Sequence, residues 1–229
     1  MIKKTIDARL FLIRHGQPLQ HSDRIFLGQT DIPLSDRGRD EAATASDELA
    51  RLQCLPDRVY SSDLLRAGET AEIISTRLLS AQHGKARRSG VPIVYIPAFR
   101  ELNMGVWDGE LIEDIRRRFP DEYAKRGENI LSYRVQGGEN FHDLRARVIR
   151  EFQRILREEF FPALRVGGSP DIVIVSHMGV IHTLIAELTR EGMNAVMRRR
   201  RPTGAVVQIN FNVKTDNTPL STIFNVFIP

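Results

Sequence analysis

The stretch Leu10-Phe11-Leu12-Ile13-Arg14-His15-Gly16-Gln17 decides how the rest of the chain is read. Its four consecutive apolar residues describe a short strand buried on both faces. The run stops at an arginine, a histidine and a glycine. Arg14 carries a fixed cationic fork that matches phosphate oxygens. His15 offers, when neutral, a ring nitrogen that can attack as a nucleophile. Gly16 lets the backbone turn and come close to a ligand. Sites of open α/β sheets form outside the carboxyl ends of strands, and this is such an end. Taken alone, Arg-His-Gly reads equally well as solvated loop residues.

The same logic recurs near the C-terminus. Asp171-Ile172-Val173-Ile174-Val175 is a second apolar strand, and it runs into Ser176-His177-Met178-Gly179 and a helix carrying Val180, Ile181, Leu184, Ile185 and Leu188. His182 on that helix reads as structural. Between the two strands, Gly28-Gln29-Thr30-Asp31-Ile32-Pro33-Leu34-Ser35 is irregular, and Ser35 is placed to cap a helix. That helix buries Ala42, Ala45, Leu49 and Leu52 and ends at Pro56, before a short strand Arg58-Val59-Tyr60. Ser61-Ser62-Asp63 then reads as the cap of a helix with Ala67, Ala71, Ile74 and Leu78 on its inner face. Arg66 falls in its first turn, where the helix dipole disfavours a cation. A bound anion resolves that conflict; a surface pairing with Glu69 or Asp63 is the competing account.

Gln82 to Gly90 is a basic loop with a glycine at each end of its core. Ile93-Val94-Tyr95-Ile96 is a further strand. It leads to Glu101, a candidate proton carrier beyond a strand end, or else a surface glutamate paired with Arg100. Residues 108 to 139 read as short helices and loops that cover the sheet's edge as a substrate lid. They close on Gly137-Gly138-Glu139-Asn140. A long helix follows, with Phe141, Leu144, Val148, Phe152 and Leu156 on one face and a structural His142 beside them. Val206 to Phe211 and Thr222 to Val226 flank Asp216-Asn217-Thr218-Pro219 as a terminal hairpin.

Composition sets the outer bounds. The 229 residues suffice for a large core, and 41% hydrophobic with 27% charged residues is ordinary for a globular chain. No apolar run approaches the ~20 residues of a membrane span, and the N-terminus lacks a signal-peptide core. A lone cysteine, Cys54, excludes an internal disulfide and reads as a small core residue. A cytoplasmic location is expected, with no membrane partner. The net charge of +4 is enough to steer an anion and too small to demand nucleic acid. The basic run Arg198 to Arg201 has no interleaved aromatics and reads as a solvated helix end.

Taken together, these blocks resemble the histidine phosphatase superfamily, also called phosphoglycerate mutase-like, over nearly the whole chain. Arg14-His15-Gly16 with Gly28, Asp31-Ile32-Pro33-Leu34-Ser35 and Gly38 resembles its opening signature. Ser61 to Ala71 resembles its second block, Glu101 with Gly105, Trp107, Asp108 and Gly109 its third, and Ser176 to Gly179 its last. The resemblance implies one three-layer α/β/α domain over residues 1–229, with a mainly parallel central sheet. It implies that His15 becomes phosphorylated, that Arg14, Arg66 and His177 hold the phosphoryl oxygens, and that Glu101 protonates the leaving oxygen. It also places Gln17, His21, Gly28 and Gln29 along the phosphate pocket. Gln17, Pro18 and His21 depart from the residues common there.

The expected activity is hydrolysis of a small-molecule phosphomonoester without metal or other cofactor. Two arginines and a histidine supply positioning and charge for phosphoryl transfer, and no acidic cluster has Mg²⁺ spacing. A dinuclear metal hydrolase is disfavoured because Arg14 would oppose the cations. The loop after Glu101 and the Gly-Gly-Glu-Asn motif resemble phosphatase members, including alpha-ribazole phosphatases and broad-specificity phosphatases. Two alternatives stand beside this reading. One is a mutase that returns the phosphoryl group to a second hydroxyl. The other is a non-catalytic phospholigand-binding regulator on the same fold. A homodimer is compatible with all three.

Overall fold

The computed structural model describes residues 5–19, 24–81, 90–166, 168, 170–214 and 225–227. The strands are β1 (Thr5–Arg14), β2 (Ile25–Phe26), β3 (Val59–Ser61), β4 (Ile93–Tyr95), β5 (Glu110–Leu111), β6 (Asp171–Ser176), β7 (Val206–Lys214) and β8 (Asn225–Phe227). The α-helices are α1 (Asp36–Arg51), α2 (Leu65–Ala81), α3 (Ile112–Arg118), α4 (Pro120–Glu128), α5 (Phe141–Ile155), α6 (Phe161–Arg165), α7 (Met178–Thr189) and α8 (Met193–Met197). Six strands form one sheet in the order β4-β3-β6-β1-β7-β8. β4, β3, β6 and β1 run parallel, while β7 and β8 join antiparallel. β2 and β5 make a separate two-stranded ribbon.

The apolar runs of β1 and β6 pack on both sides because successive side chains of a strand point to opposite faces. Leu10, Leu12, Ile172 and Ile174 join one core with Leu144, Val148 and Phe152 of α5 and Val180, Ile181 and Leu184 of α7. Phe11, Ile13, Val173 and Val175 join the other with Ala45 and Leu49 of α1 and Ala67, Ala71, Ile74 and Leu78 of α2. Cys54 is buried in that second core, where desolvation pushes its thiol pKa up. The mainly parallel sheet with helices on both faces agrees with the expected α/β/α architecture.

Several boundaries differ from the sequence reading. α1 stops at Arg51, not at Pro56. Gln53 takes a left-handed φ of 52°, and the Cys54 N–H returns to Leu49 O at 2.9 Å, which closes the helix early. Ser35 does cap α1, accepting the Gly38 N–H at 3.0 Å. The Ser61-Ser62-Asp63 cap is replaced by another arrangement. Ser61 belongs to β3, and the Leu65 N–H that opens α2 goes to Asp31 Oδ1 at 2.7 Å, from a distant loop. β7 and β8 form the expected antiparallel pair, with the turn residues 215–224 outside the described set. The basic loop at 82–89 also lies outside it. Arg198, Arg199 and Arg200 are exposed after α8, as a solvated helix end should be.

α3 and α4 fold around Trp107, whose ring stacks on Phe26 at 6.0 Å and Tyr133 at 6.4 Å. Phe119 and Tyr123 tilt against the same ring. The scattered aromatics Phe119, Tyr123 and Tyr133 thus become one cluster, anchored through Phe26 to the β2–β5 ribbon. No helix is long and apolar enough to cross a membrane among the described residues.

Candidate active site

The ends of β1 and β6 lie side by side, with Arg14 opposite Ser176 in the parallel register. The His15 N–H donates to Ser176 O at 2.9 Å, which joins the two histidine-bearing turns. The rings of His15 and His177 stand 5.0 Å apart at 57°. Both are buried, His15 at 5% exposure and His177 at 0%. Gly16 makes the turn because a Cβ there would sit 2.1 Å from Gly38 O.

His15 has a defined tautomer. Its Nδ1 lies 2.7 Å from Gly16 O. A carbonyl only accepts, so Nδ1 carries the proton and the lone pair of the neutral ring sits on Nε2. That nitrogen is the one able to attack.

Arg66 is 1% exposed, so the surface-pair account fails. The carboxylates proposed for it are engaged elsewhere, Glu69 with Arg39 and Asp63 with Arg100. Arg66 instead donates through Nη1 to Thr30 O at 2.7 Å and through Nη2 to Gly28 O at 2.8 Å. These bonds hold the fork in place, and Nε remains buried with no hydrogen-bond partner among the described residues. Desolvation lowers its pKa, opposed by Glu101, Asp31 and Asp108. Arg14 is held through Nη1 by the carbonyl of Arg201 at 2.5 Å. The same segment is tied down where the Gly204 N–H reaches the carbonyls of Arg14 and His15.

Glu101 is likewise not a surface partner of Arg100. Its Oε1 accepts the Leu102 N–H at 2.9 Å, and both oxygens lie 3.2 Å from the Gly179 N–H in the first turn of α7. Its backbone is gripped by Arg147, which the sequence reading passed over. Arg147 uses all five of its N–H groups. Nη1 donates to Ala98 O and Arg100 O, and Nη2 donates to Glu101 O and Glu139 Oε2. Nε donates to Glu139 Oε1. The Glu139 of the Gly-Gly-Glu-Asn motif therefore orients Arg147, and it also accepts the Asn103 N–H at 3.1 Å. Asn140 of the same motif caps α5. The sequence signal for Arg147 was one arginine beside the apolar stripe of α5, indistinguishable from a surface residue.

His177 follows β6 and opens α7. Its Nε2 lies 2.8 Å from Ser62 Oγ, while Nδ1 is buried without a partner among the described residues. Burial, then the charges of Arg66, His15, Arg147 and Arg14, hold its pKa well below 6.5. Those neighbours show that the arginines, the two histidines and the Glu101 loop share one locale.

Of the remaining expected residues, Gly28 adopts φ 47° and gives its carbonyl to Arg66. Gln29 donates its side-chain amide to Glu101 O at 3.0 Å. Gln17 is turned to Ser35, whose Oγ meets both its backbone oxygen and its Oε1. His21 lies outside the described residues. Asp108, pKa raised by burial, accepts the Met104 and Gln29 N–H groups and ties the two site loops together. His142 is exposed and His182 is buried on α7; neither stands among the charged neighbours of His177. No group of three or more His, Cys, Asp or Glu side chains could hold a metal ion among the described residues.

The chain belongs to the histidine phosphatase superfamily (branch 1), whose family model matches residues 10–217. A 2,3-bisphosphoglycerate-dependent phosphoglycerate mutase 2 from Gloeobacter violaceus is 30% identical over 182 residues, covering 79% of this chain and 75% of the relative. Among solved structures, the alpha-ribazole phosphatase from Shigella flexneri superposes with a TM-score of 0.71 at 25% identity, covering 90% of this chain and 91% of that one. A mycobacterial glucosyl-3-phosphoglycerate phosphatase shares the fold, with a TM-score of 0.77 at 24% identity and 97% of each chain covered.

Proposed function

We propose that this chain hydrolyses a phosphomonoester through a phosphohistidine on His15, without a metal. One observation carries the reading. The Arg66 Nε–H is buried and lacks an acceptor among the described residues, and His177 Nδ1 is buried there without a partner, beside a histidine whose lone pair is directed to Nε2 by Gly16 O. A buried donor left unsatisfied costs about 1–3 kcal/mol. A phosphoryl group supplies acceptor oxygens to such donors and an electrophilic phosphorus to the nucleophile.

In the first step His15 Nε2 attacks phosphorus as the bond from phosphorus to the ester oxygen breaks, and Glu101 delivers a proton to that oxygen. Arg14, Arg66 and His177 hold the three equatorial oxygens as charge redistributes. In the second step a water attacks the phosphohistidine, Glu101 takes its proton, the N–P bond breaks, and inorganic phosphate leaves. Gly28, Gln29 and Gln17 act behind these groups, the first two by holding Arg66 and Glu101. The Gloeobacter relative favours a second reading, in which a substrate hydroxyl replaces the water and the enzyme is a mutase. Both readings share the phosphohistidine.

The test is turnover of a panel of phosphate esters with release of inorganic phosphate measured directly. His15→Ala is expected to fold and to lose turnover, and quenched wild-type enzyme to carry an acid-labile, base-stable phosphate on His15. Substantial activity in folded His15→Ala would sink the proposal. Isomerised phosphate ester in place of free phosphate would select the mutase.

A further inference from the structure

Ser62 and His177 follow neighbouring parallel strands, β3 and β6, and the Ser62 N–H donates to Val175 O at 3.0 Å. Both side chains are fully buried, at 0% exposure. A serine hydroxyl has one proton to give and lone pairs to accept with. Ser62 Oγ already accepts the Leu64 N–H at 3.3 Å. Its other hydrogen bond among the described residues is the 2.8 Å contact with His177 Nε2. The hydroxyl proton has no other acceptor among the described residues, so donation to Nε2 is the arrangement that leaves it satisfied.

We infer that Ser62 is a positioning residue that donates to His177 Nε2, holds the ring as its neutral Nδ1–H tautomer, and so presents an N–H to a phosphoryl oxygen. This rests on the phosphoryl-site reading above. The two histidines then share one tautomer, reached by opposite means. At His15 a carbonyl accepts from Nδ1, which places the lone pair on Nε2. At His177 a hydroxyl donates to Nε2, and the buried Nδ1–H is left without an acceptor among the described residues.

The arrangement removes a difficulty in treating His177 as a cation. Arg14 and His15 at the end of β1, Arg66 on α2 and Arg147 on α5 all face the ring, and with its burial they oppose a further positive charge. A neutral N–H donor needs no added proton. It stabilises the transferring oxygens by a directed hydrogen bond, and the two arginines supply the charge.

The experiment is ¹⁵N-resolved NMR of the histidine side chains in the intact protein at pH 7, with His177 assigned by its disappearance in His177→Asn. The expected spectrum shows a protonated Nδ1 and an unprotonated Nε2 at His177. Added inorganic phosphate should shift the Nδ1–H resonance. Ser62→Ala should redistribute the tautomer and lower kcat/KM for p-nitrophenyl phosphate by about 10–100-fold, the scale seen when a metal-bound histidine loses its orienting partner. Ser62→Thr, which keeps the hydroxyl, should retain the wild-type tautomer. A proton on Nε2 or on both nitrogens of wild-type His177 overturns the inference, as does an unchanged spectrum in folded Ser62→Ala. Should that variant not fold, the wild-type spectrum alone decides. An Nδ1–H tautomer in a protein that turns over no phosphate ester leaves the Ser62 assignment standing and removes the reaction proposed above.

Discussion

The backbone N–H of Gly179 bisects the carboxylate of Glu101, 3.2 Å from each oxygen, and a Cβ on residue 179 would stand 2.4 Å from Oε1. The glycine is needed for this approach. Its backbone is ordinary helix, so the requirement is space and not a left-handed φ. Gly179→Ala should fold and push the glutamate tip aside. Glu101→Gln removes the acid itself. Both variants should hurt alkyl phosphates more than p-nitrophenyl phosphate, whose leaving oxygen departs without a proton. General-acid steps are worth about 10²–10⁴-fold, so the difference is readily measured. Equal losses on both substrates would take Glu101 out of the acid role.

Arg147 predicts a coupled loss of stability and acid function. Its side chain and that of Glu139 are each 21% exposed, and the pair also anchors three backbone carbonyls. Arg147→Met leaves Glu139 and those carbonyls unsatisfied. Breaking a part-buried pair that also anchors carbonyls costs up to about 3 kcal/mol, or up to about 6–12 °C in Tm for a chain of this size. The surviving activity should show the leaving-group bias of Glu101→Gln. Thermal melts together with the two-substrate comparison check this; an unbiased loss would make Arg147 structural only.

Chelation gives a separate test. The oxygens of a phosphate ester meet Arg14 and Arg66 in the proposed mechanism, and cations there leave little electrostatic room for a divalent ion. Turnover should persist in EDTA. Activity lost on chelation and restored by Mg²⁺ or Mn²⁺ would contradict the mechanism.

Acid should destabilise the fold in a defined window. His182 is buried, and desolvation, followed by the charge of Arg201, holds its pKa at about 4. Unfolded histidine titrates near ~6.5. Between these values the unfolded chain binds more protons than the native one, so stability is present above the unfolded pKa and lost as pH falls toward 4. His177, also depressed, acts in the same direction. Each such group contributes up to about 1.4 kcal/mol per pH unit in its window. Tm should fall more steeply from pH 6.5 to 4 in the wild type than in His182→Gln. Identical slopes would show that His182 does not titrate in this way.

Much of the fold was readable because its signals are local. The continuous apolar runs of β1 and β6 marked strands buried on both faces, and the three- and four-residue spacing on α1, α2, α5 and α7 marked which side faces each core. Where a local rule competed with a distant contact, the reading failed. Ser62 looks like a helix cap, yet Asp31 receives the Leu65 N–H and Ser62 turns to His177. Pro56 looks like a helix stop, yet the turn at Gln53 ends α1 first.

The candidate site divides along the same line. Arg14, His15, Arg66 and His177 each stand at a strand end or a helix start, positions that hydrophobic patterning locates without knowing the partners, and Glu101 lies in the loop beyond β4. Arg147 depends on carbonyls 46 to 49 residues away, and Ser62 on a histidine 115 residues away. Spacing along the chain does not encode such contacts. Protonation belongs to the same class, because it follows from how much water the fold removes and which charges it gathers. The residue types and order along the chain by themselves determined where the reactive groups lie. Only tertiary packing decided that Ser62 meets His177 and that the ring of His177 is buried among cations.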